Sequence, residues 1–495
     1  MPVGNARARA WRFALRLALG LIVVALLSHF SVLWLAKHEM TGVESMVALH
    51  SSMLARGDGL YYDLNRYPFT VSAYGPIFYS LSAGLQKLGI APYQSGRLIS
   101  FCALLAVLWF SRRILETLLI ERTAKLAGLV LIGATSNLLY WCTLGQTDAL
   151  ALCFSLAAFD TYLRWREAEN SHGLWITGLF VLCALFAKQT FVAAPCAIGL
   201  SLLLEDRRRA LAWLGAMAVS GATVALTVNV FFGGSYFANA FLANMNPFSA
   251  DKLGQQMQYF GLTSCGLILM TACGIPRFHH RMRPVAIYLG FAALVLLGTA
   301  PKIGSDLNYQ LETTLLLGIA SACALEQLNF FPLTFLSSRV WITMLQIPLF
   351  FHIVFNLTLT TKTIAERVML EPERAGATAQ LRPYLGAERR RVICTNLDAM
   401  VHYRGRIEVE PLIYSILVKA GSTNPEPVRR DIAARRFETI ILHEDVTKPP
   451  PAVRDAEIGT LPQAQLDEVR KNYRLVLHAS SPYGEGDYVY EPRRD

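Results

Sequence analysis

The sequence is poor in charge. Lys, Arg, Asp and Glu make up 17% of its 495 residues, where a soluble domain carries about 25%. With 53% hydrophobic residues, that shortfall excludes an ordinary soluble globular chain. Glycine loops of the P-loop and dinucleotide types are absent, which argues against built-in nucleotide chemistry. No histidine pair has metal-ligand spacing. The nine cysteines form neither a disulfide framework nor a zinc pattern. Eight of them (Cys102, Cys142, Cys153, Cys183, Cys196, Cys265, Cys273 and Cys323) lie in or beside apolar runs, and only Cys394 lies in the polar tail. They read as small apolar residues. Internal repeats and low-complexity tracts are also missing.

What the chain has instead is apolar runs near 20 residues, the length that crosses about 30 Å of hydrocarbon. The first, 13–36, follows Arg7, Arg9 and Arg12. It is longer than the roughly 7–15 residues of a signal-peptide core and lacks a convincing cleavage site, so it reads as a retained span. Further spans are expected at 97–115, 124–142, 147–165, 173–187, 190–204, 210–232, 257–275, 284–300, 308–326 and 340–359, about eleven in all. The net charge of +10 sits largely in short loops between these runs. It therefore speaks for membrane topology and not for nucleic acid.

A twelfth apolar stretch, 71–89, is decided by charge. If it crossed, Arg112, Arg113, Arg122, Lys125, Arg164, Arg166, Arg207, Arg208, Arg209, Arg277, Arg281 and Arg283 would face outward. If it does not cross, they share the cytoplasmic side with the N-terminal arginines, as the positive-inside rule favours. Residues 75–88 then form a juxtamembrane helix with Pro76 in its first turn. The N-terminus is expected in the cytoplasm. A long ordered first outer loop, 37–96, is expected to organise the outer face.

From about residue 360 the charge rises. Short β-type runs at 391–395, 439–443, 473–478 and 487–490 alternate with helical stretches at 411–420, 427–436 and 462–472. The expected fold is thus an α-helical polytopic membrane protein, with juxtamembrane helices in the first outer loop and a small C-terminal extracytoplasmic α/β domain. The expected domains are 1–360 and 361–495.

Ionisable residues collect at the outer ends of the spans: Glu44 and Asp63 from the first loop, Asp148 before span 4, Lys188 between spans 5 and 6, and Lys302 before span 10. Charges placed there usually face a cavity or a partner. Each also has an ordinary reading. Thr41-Gly-Val-Glu44 is a capping box. Lys188 and Lys302 could be snorkelling anchors. Asp148 could cap its helix. Asp58 reads as a turn residue, and Tyr61, Tyr62 and Tyr79 read as interfacial anchors before sugar-stacking faces. Asn356-Leu-Thr358 matches a glycosylation acceptor but overlaps a span, and is discounted.

The ordered series formed by Glu44 ahead of a short helix, Tyr74-Gly-Pro-Ile-Phe-Tyr79, Leu88-Gly89 before Arg97, Thr147-Asp148, Ala187-Lys188, and Lys302 with Asn308-Tyr309 resembles the GT-C superfamily of polytopic glycosyltransferases. The resemblance is to the bacterial branch of aminoarabinose transferases and protein O-mannosyltransferase relatives, and it covers about residues 10–330. Two departures stand out. The paired Asp-Glu of many members is Val43-Glu44 here, and a Lys-Gly-Lys loop is Lys302-Ile-Gly304.

The resemblance implies sugar transfer from a polyprenyl-phosphate donor to an extracytoplasmic lipid, glycan or protein acceptor, in the bacterial inner membrane. Glu44 would be the base and Asp148 a second catalytic residue that orients the acceptor, pairs with a lysine or helps hold a divalent cation (magnesium or manganese). Lys188 and Lys302 would bind the donor phosphate, and Asp63, Tyr74, Tyr79, Asn308 and Tyr309 would line the substrate cavity. The rival readings are a lipid-linked sugar flippase and a non-catalytic envelope-assembly protein.

Overall fold

The computed structural model describes residues 3–168, 172–330, 338–386, 391–448, 461–481 and 484–494. The chain divides into two compact units. The first comprises Met1–Leu35, Arg97–Thr223 and Pro247–Ala365, and the second Ala36–Gly96, Val224–Asn246 and Glu366–Asp495.

The first unit is helical. Among the described residues, four helices of the chain have the length and composition to cross a membrane: Trp11–Leu35, Pro92–Leu118, Arg207–Phe231 and Ala250–Arg277. Leu17, Leu21, Val24 and Leu27 are exposed on the first of them. A stripe of that kind needs an apolar surrounding, which suits an α-helical membrane protein. Helices approach closely where side chains are small: a Cβ added at Gly274 would stand 2.2 Å from the Ala324 Cβ.

Two departures from regular spans matter for function. The stretch expected as one span at 124–142 is two helices, Arg122–Gly133 and Ser136–Trp141. The break is stabilised by Asn356, whose Oδ1 accepts from the Ser136 N–H (3.2 Å) and hydroxyl (2.6 Å) while its Nδ2 donates to the Thr263 carbonyl (3.0 Å). Asn356 is therefore a buried structural residue and not a glycan acceptor. The second departure is length. Gly173–Ala187 and Ala193–Glu205 have 15 and 13 residues. At about 1.5 Å per residue each falls roughly 8–10 Å short of the hydrocarbon thickness. The turn between them carries Lys188.

The second unit is built on a four-stranded sheet of β1 (Val392–Cys394), β2 (Thr439–Leu442), β3 (Tyr473–Ser481) and β4 (Gly484–Pro492), in the order β1-β2-β4-β3. β1 pairs parallel with β2, with Ile393 opposite Ile440, and the connection between them holds the helices Leu397–Tyr403, Pro411–Lys419 and Glu426–Ala433. β4 runs antiparallel to both β2 and β3. Because successive strand side chains point to opposite faces, β2 feeds two cores. Ile440 and Leu442 pack with Tyr414, Val428, Ile432, Leu466 and Val469. Ile441 packs with Val392, Cys394, Leu381, Leu385 and Met400.

That second core also takes Ala48, Leu49 and Met53 from the first loop. They lie on the helix Gly42–Arg56, which starts at the Thr41 cap and ends at Gly57 (φ 86°), where the Gly57 and Asp58 amides reach back to Leu54 and Met53. Asp58 is thus a turn residue. The helix expected at 75–88 is present as Pro76–Lys87. The loop is tied to the C-terminal part at a second point, where the Phe69 N–H donates to Glu408 O (2.8 Å) and the Glu410 N–H to Phe69 O (2.9 Å).

Candidate functional site

In the first unit, four of the expected site residues come together. Asp148 opens the helix Asp148–Ala168. Lys188 follows the end of Gly173–Ala187 in extended backbone. Asn308 and Tyr309 lie in the short helix Leu307–Gln310, which Asp306 caps by accepting from the Leu307 N–H. The Lys188 ammonium donates to Asp148 Oδ1 at 2.7 Å, and the two residues are 1% and 2% exposed. Asn308 Nδ2 donates to Asp148 Oδ2 at 3.1 Å. The ammonium also stands 4.7 Å from the Tyr309 ring centroid, a cation–π distance.

This geometry replaces the snorkelling reading of Lys188, which would leave the ammonium in water. A charge buried this fully requires a partner, and Asp148 is that partner. Both Asp148 oxygens face nitrogen donors, so Asp148 is an ion-pair residue here. Among the described residues, Asn308 Oδ1 and Thr147 Oγ1 have no hydrogen-bond partner. Buried polar groups are rarely left so. A second polar chain adjoins the cluster through residue 310. Asn137 Nδ2 donates to Gln310 Oε1 (2.9 Å), and Gln310 Nε2 donates to Gln256 Oε1 (2.9 Å). Amide residues of this kind in apolar helices are a signal the sequence reading did not use.

Lys302 is placed by a different device. Residues 301–303 pair with 247–249, with Ser249 N donating to Pro301 O (2.7 Å) and Ile303 N to Pro247 O (2.9 Å). Its side chain is half-buried, and the bend at Gly304 (φ 82°) follows.

In the second unit, Glu44 is 0% exposed. Its backbone N–H is capped by the Thr41 hydroxyl (3.3 Å), and its carboxylate accepts from the Met40 N–H (2.9 Å). The capping arrangement is therefore real, reaching one residue further back than a standard box. Asp63 is exposed, accepts from the Asn65 N–H (2.9 Å) and lies 3.5 Å from Arg66; it shapes a surface turn. Tyr74 offers its carbonyl to the Tyr61 hydroxyl (2.8 Å). Tyr79 is wholly buried, edge-on to His50. Neither Tyr61 nor Tyr79 is an exposed anchor at the membrane interface, because both are taken into the packing of the loop.

A cluster that the sequence reading missed surrounds Asp398. His38 Nδ1 lies 2.6 Å from Asp398 Oδ2, the Tyr93 hydroxyl donates to Oδ1 at 2.6 Å, and the Thr378 hydroxyl donates to Oδ2 at 3.2 Å. Burial alone would lower the His38 pKa, but the hydrogen bond and charge of Asp398 outweigh it and raise it. Burial would likewise raise the Asp398 pKa, and its bond to His38 pulls it down instead. Glu39, beside them, is pushed up to about 7, first by burial and then by the charge of Asp398. Among the described residues, His38, Asp398 and His402 form the group able to hold a metal ion.

No protein-family model matches the chain, and no curated protein matches it by sequence. Solved structures do. ArnT from Cupriavidus metallidurans, solved in the apo state and bound to undecaprenyl phosphate, superposes with TM-score 0.61 at 13% identity, covering 95% of this chain and 97% of that one. The chain shares the fold of that protein. The arabinofuranosyltransferase AftD from Mycobacteria aligns with TM-score 0.53 at 12% identity over 96% of this chain and 42% of its own.

Proposed function

We propose that the chain is a membrane glycosyltransferase moving a sugar from a polyprenyl-phosphate donor to an extracytoplasmic acceptor, with its N-terminus in the cytoplasm. The observation that carries this reading is the buried Lys188–Asp148 pair, bordered by the unpartnered Asn308 Oδ1 and Thr147 Oγ1, in a fold shared with a protein solved on undecaprenyl phosphate. The leaving group in such a transfer is a phosphate monoester, and negative charge develops on it as the glycosidic bond breaks. An ammonium already fixed by Asp148 and Tyr309 stabilises that charge without reorganising. Lys302, less buried, adds a second cation. The Thr147 hydroxyl donates to a phosphate or sugar oxygen, and Asn308 Oδ1 accepts from a sugar hydroxyl.

Glu44 is assigned the acceptor's proton. Glu44→Gln tests this cleanly, since the amide oxygen still accepts from the Met40 N–H while the group no longer takes a proton. Loss of transfer with unchanged folding and donor binding supports the assignment, and unchanged transfer removes it. Asp63, Tyr74 and Tyr79 are kept out of the chemistry.

A second reading, a lipid-linked sugar flippase, draws on the broken helix at 134–135, a feature of transporters. Reconstituted vesicles separate the two. The transferase cleaves the donor and releases polyprenyl phosphate; the flippase moves the donor intact.

A further inference from the structure

The cluster around Asp398 has no part in the transfer chemistry above. Its three metal-capable side chains place their ligand atoms within 4.8 Å of one another. The helix Leu397–Tyr403 sets Asp398 and His402 one turn apart on one face, with His402 Nε2 3.6 Å from Asp398 Oδ1. His38 arrives from the other end of the chain, and the two imidazole centroids are 4.5 Å apart. The carboxylate is steadied from outside by the Tyr93 and Thr378 hydroxyls and by the Glu39 N–H (3.2 Å), and Tyr93 is bonded in turn to Ser45 (2.6 Å). Such outer partners fix ligand orientation in metal sites.

Glu39 supplies an independent observation. Its Oε2 is buried with no hydrogen-bond partner among the described residues, and its carboxyl lies close enough to Asp398 for the two to interact. An unpaired buried carboxylate oxygen is costly. The Arg374 guanidinium offsets part of the charge of Glu39 and Asp398, and a dication beside them offsets the rest.

The geometry points to a zinc-class site formed by His38, Asp398 and His402, with water completing the coordination and Glu39 balancing the charge. Two imidazoles and one carboxylate suit Zn²⁺, whereas Mg²⁺ and Mn²⁺ favour carboxylate, carbonyl and water oxygen. Bonds of about 2.0–2.2 Å around a tetrahedral ion set the ligand atoms roughly 3.3 Å apart. With Asp398 Oδ2 as the ligand atom, the His38–Asp398 contact opens by less than about 1 Å to reach this, and His402 closes in from within 4.8 Å. Zinc takes the place of a proton shared between His38 and Asp398. It ties the chain just before the Thr41-capped helix to the helix Leu397–Tyr403, so its role is structural.

The test uses tag-free, full-length protein in detergent with ZnCl₂. Metal analysis after dialysis is expected to find about one zinc per chain, and ZnCl₂, but not MgCl₂ or MnCl₂, is expected to raise the thermal midpoint. His402→Gln leaves the His38–Asp398 bond in place, and we expect it to weaken zinc binding at least about tenfold. Should that variant fold poorly, CoCl₂ added to the wild-type protein gives a second readout: a visible d–d band of a tetrahedral site that ZnCl₂ abolishes. Wild-type protein that neither retains zinc nor shows the cobalt band overturns the assignment. So does a folded His402→Gln variant that binds zinc as tightly as wild type.

Discussion

Two buried polar clusters do different work with similar parts. Around Asp148, a carboxylate meets a permanent cation, Lys188, and an amide, so the charges cancel. Around Asp398, a carboxylate meets imidazole, hydroxyl and amide groups, with a second carboxyl, Glu39, alongside. The first is a preformed pair whose fixed cation is ready for an incoming anion. The second sets two carboxyls beside the Arg374 guanidinium and invites a further cation. Burial sets the stakes in both, because a charge withdrawn from water must find a partner or change protonation.

The contrast can be broken by mutation, beginning with the largest effect. Lys188→Met strands Asp148 and is expected to destabilise the fold by roughly 3–5 kcal/mol, read as a fall in thermal midpoint in detergent. The double variant Lys188→Met/Asp148→Asn removes both charges and should recover most of that stability. If it recovers transfer as well, the ion pair has no role in chemistry; the expected outcome is a loss of about 10²–10³-fold in kcat.

A pH series probes a third buried cluster, around Thr70 in the second unit. Burial pushes Glu410 up to about 7, where its carboxyl accepts from the Thr70 hydroxyl (2.7 Å) with Tyr79 nearby. An acid with a raised folded-state pKa contributes stability below its unfolded value of 4.5 and loses it as pH climbs toward 7. His50, bonded to the same Thr70 (2.8 Å), is lowered to about 4 by burial. It contributes above 6.5 and loses stability as pH falls toward 4. Glu410→Gln is expected to flatten the decline between about pH 5 and 7.5 and leave the acid side unchanged; an unaltered profile sinks this reading.

Smaller effects follow from the loop. Thr41→Ala removes the helix cap and should cost about 1 kcal/mol. Asp63→Ala touches only an exposed turn and should change stability by less than about 0.5 kcal/mol. A large loss of transfer from Asp63→Ala would return that residue to the site.

The legibility of these features in the sequence follows their physics. The four strand segments and the helices near 411, 426 and 463 were readable because alternation and proline position mark them locally. The helix Glu371–Leu385 was missed because Pro372 and Pro383 look like breakers, yet one sits in its first turn and the other in its last. Leu397–Tyr403 has 7 residues, too few to show a period, and it carries Asp398 and His402. Lys188 was readable as a charge between apolar runs. Its pairing with Asp148 was not, since it joins the ends of two helices across 40 positions of sequence. His38 and Asp398, 360 positions apart, share no sequence pattern.

The transfer reaction itself is tested most directly in a deletion strain of the source organism, by mass spectrometry of lipid-linked sugars and envelope glycans. We expect a polyprenyl-phosphate sugar to accumulate and one envelope glycan to disappear. Wild-type protein should reverse both changes, and Lys188→Met/Asp148→Asn, expressed to the same level, should reverse neither. Reversal by the double variant, or a deletion strain with an unchanged lipid-linked pool, would contradict the assignment.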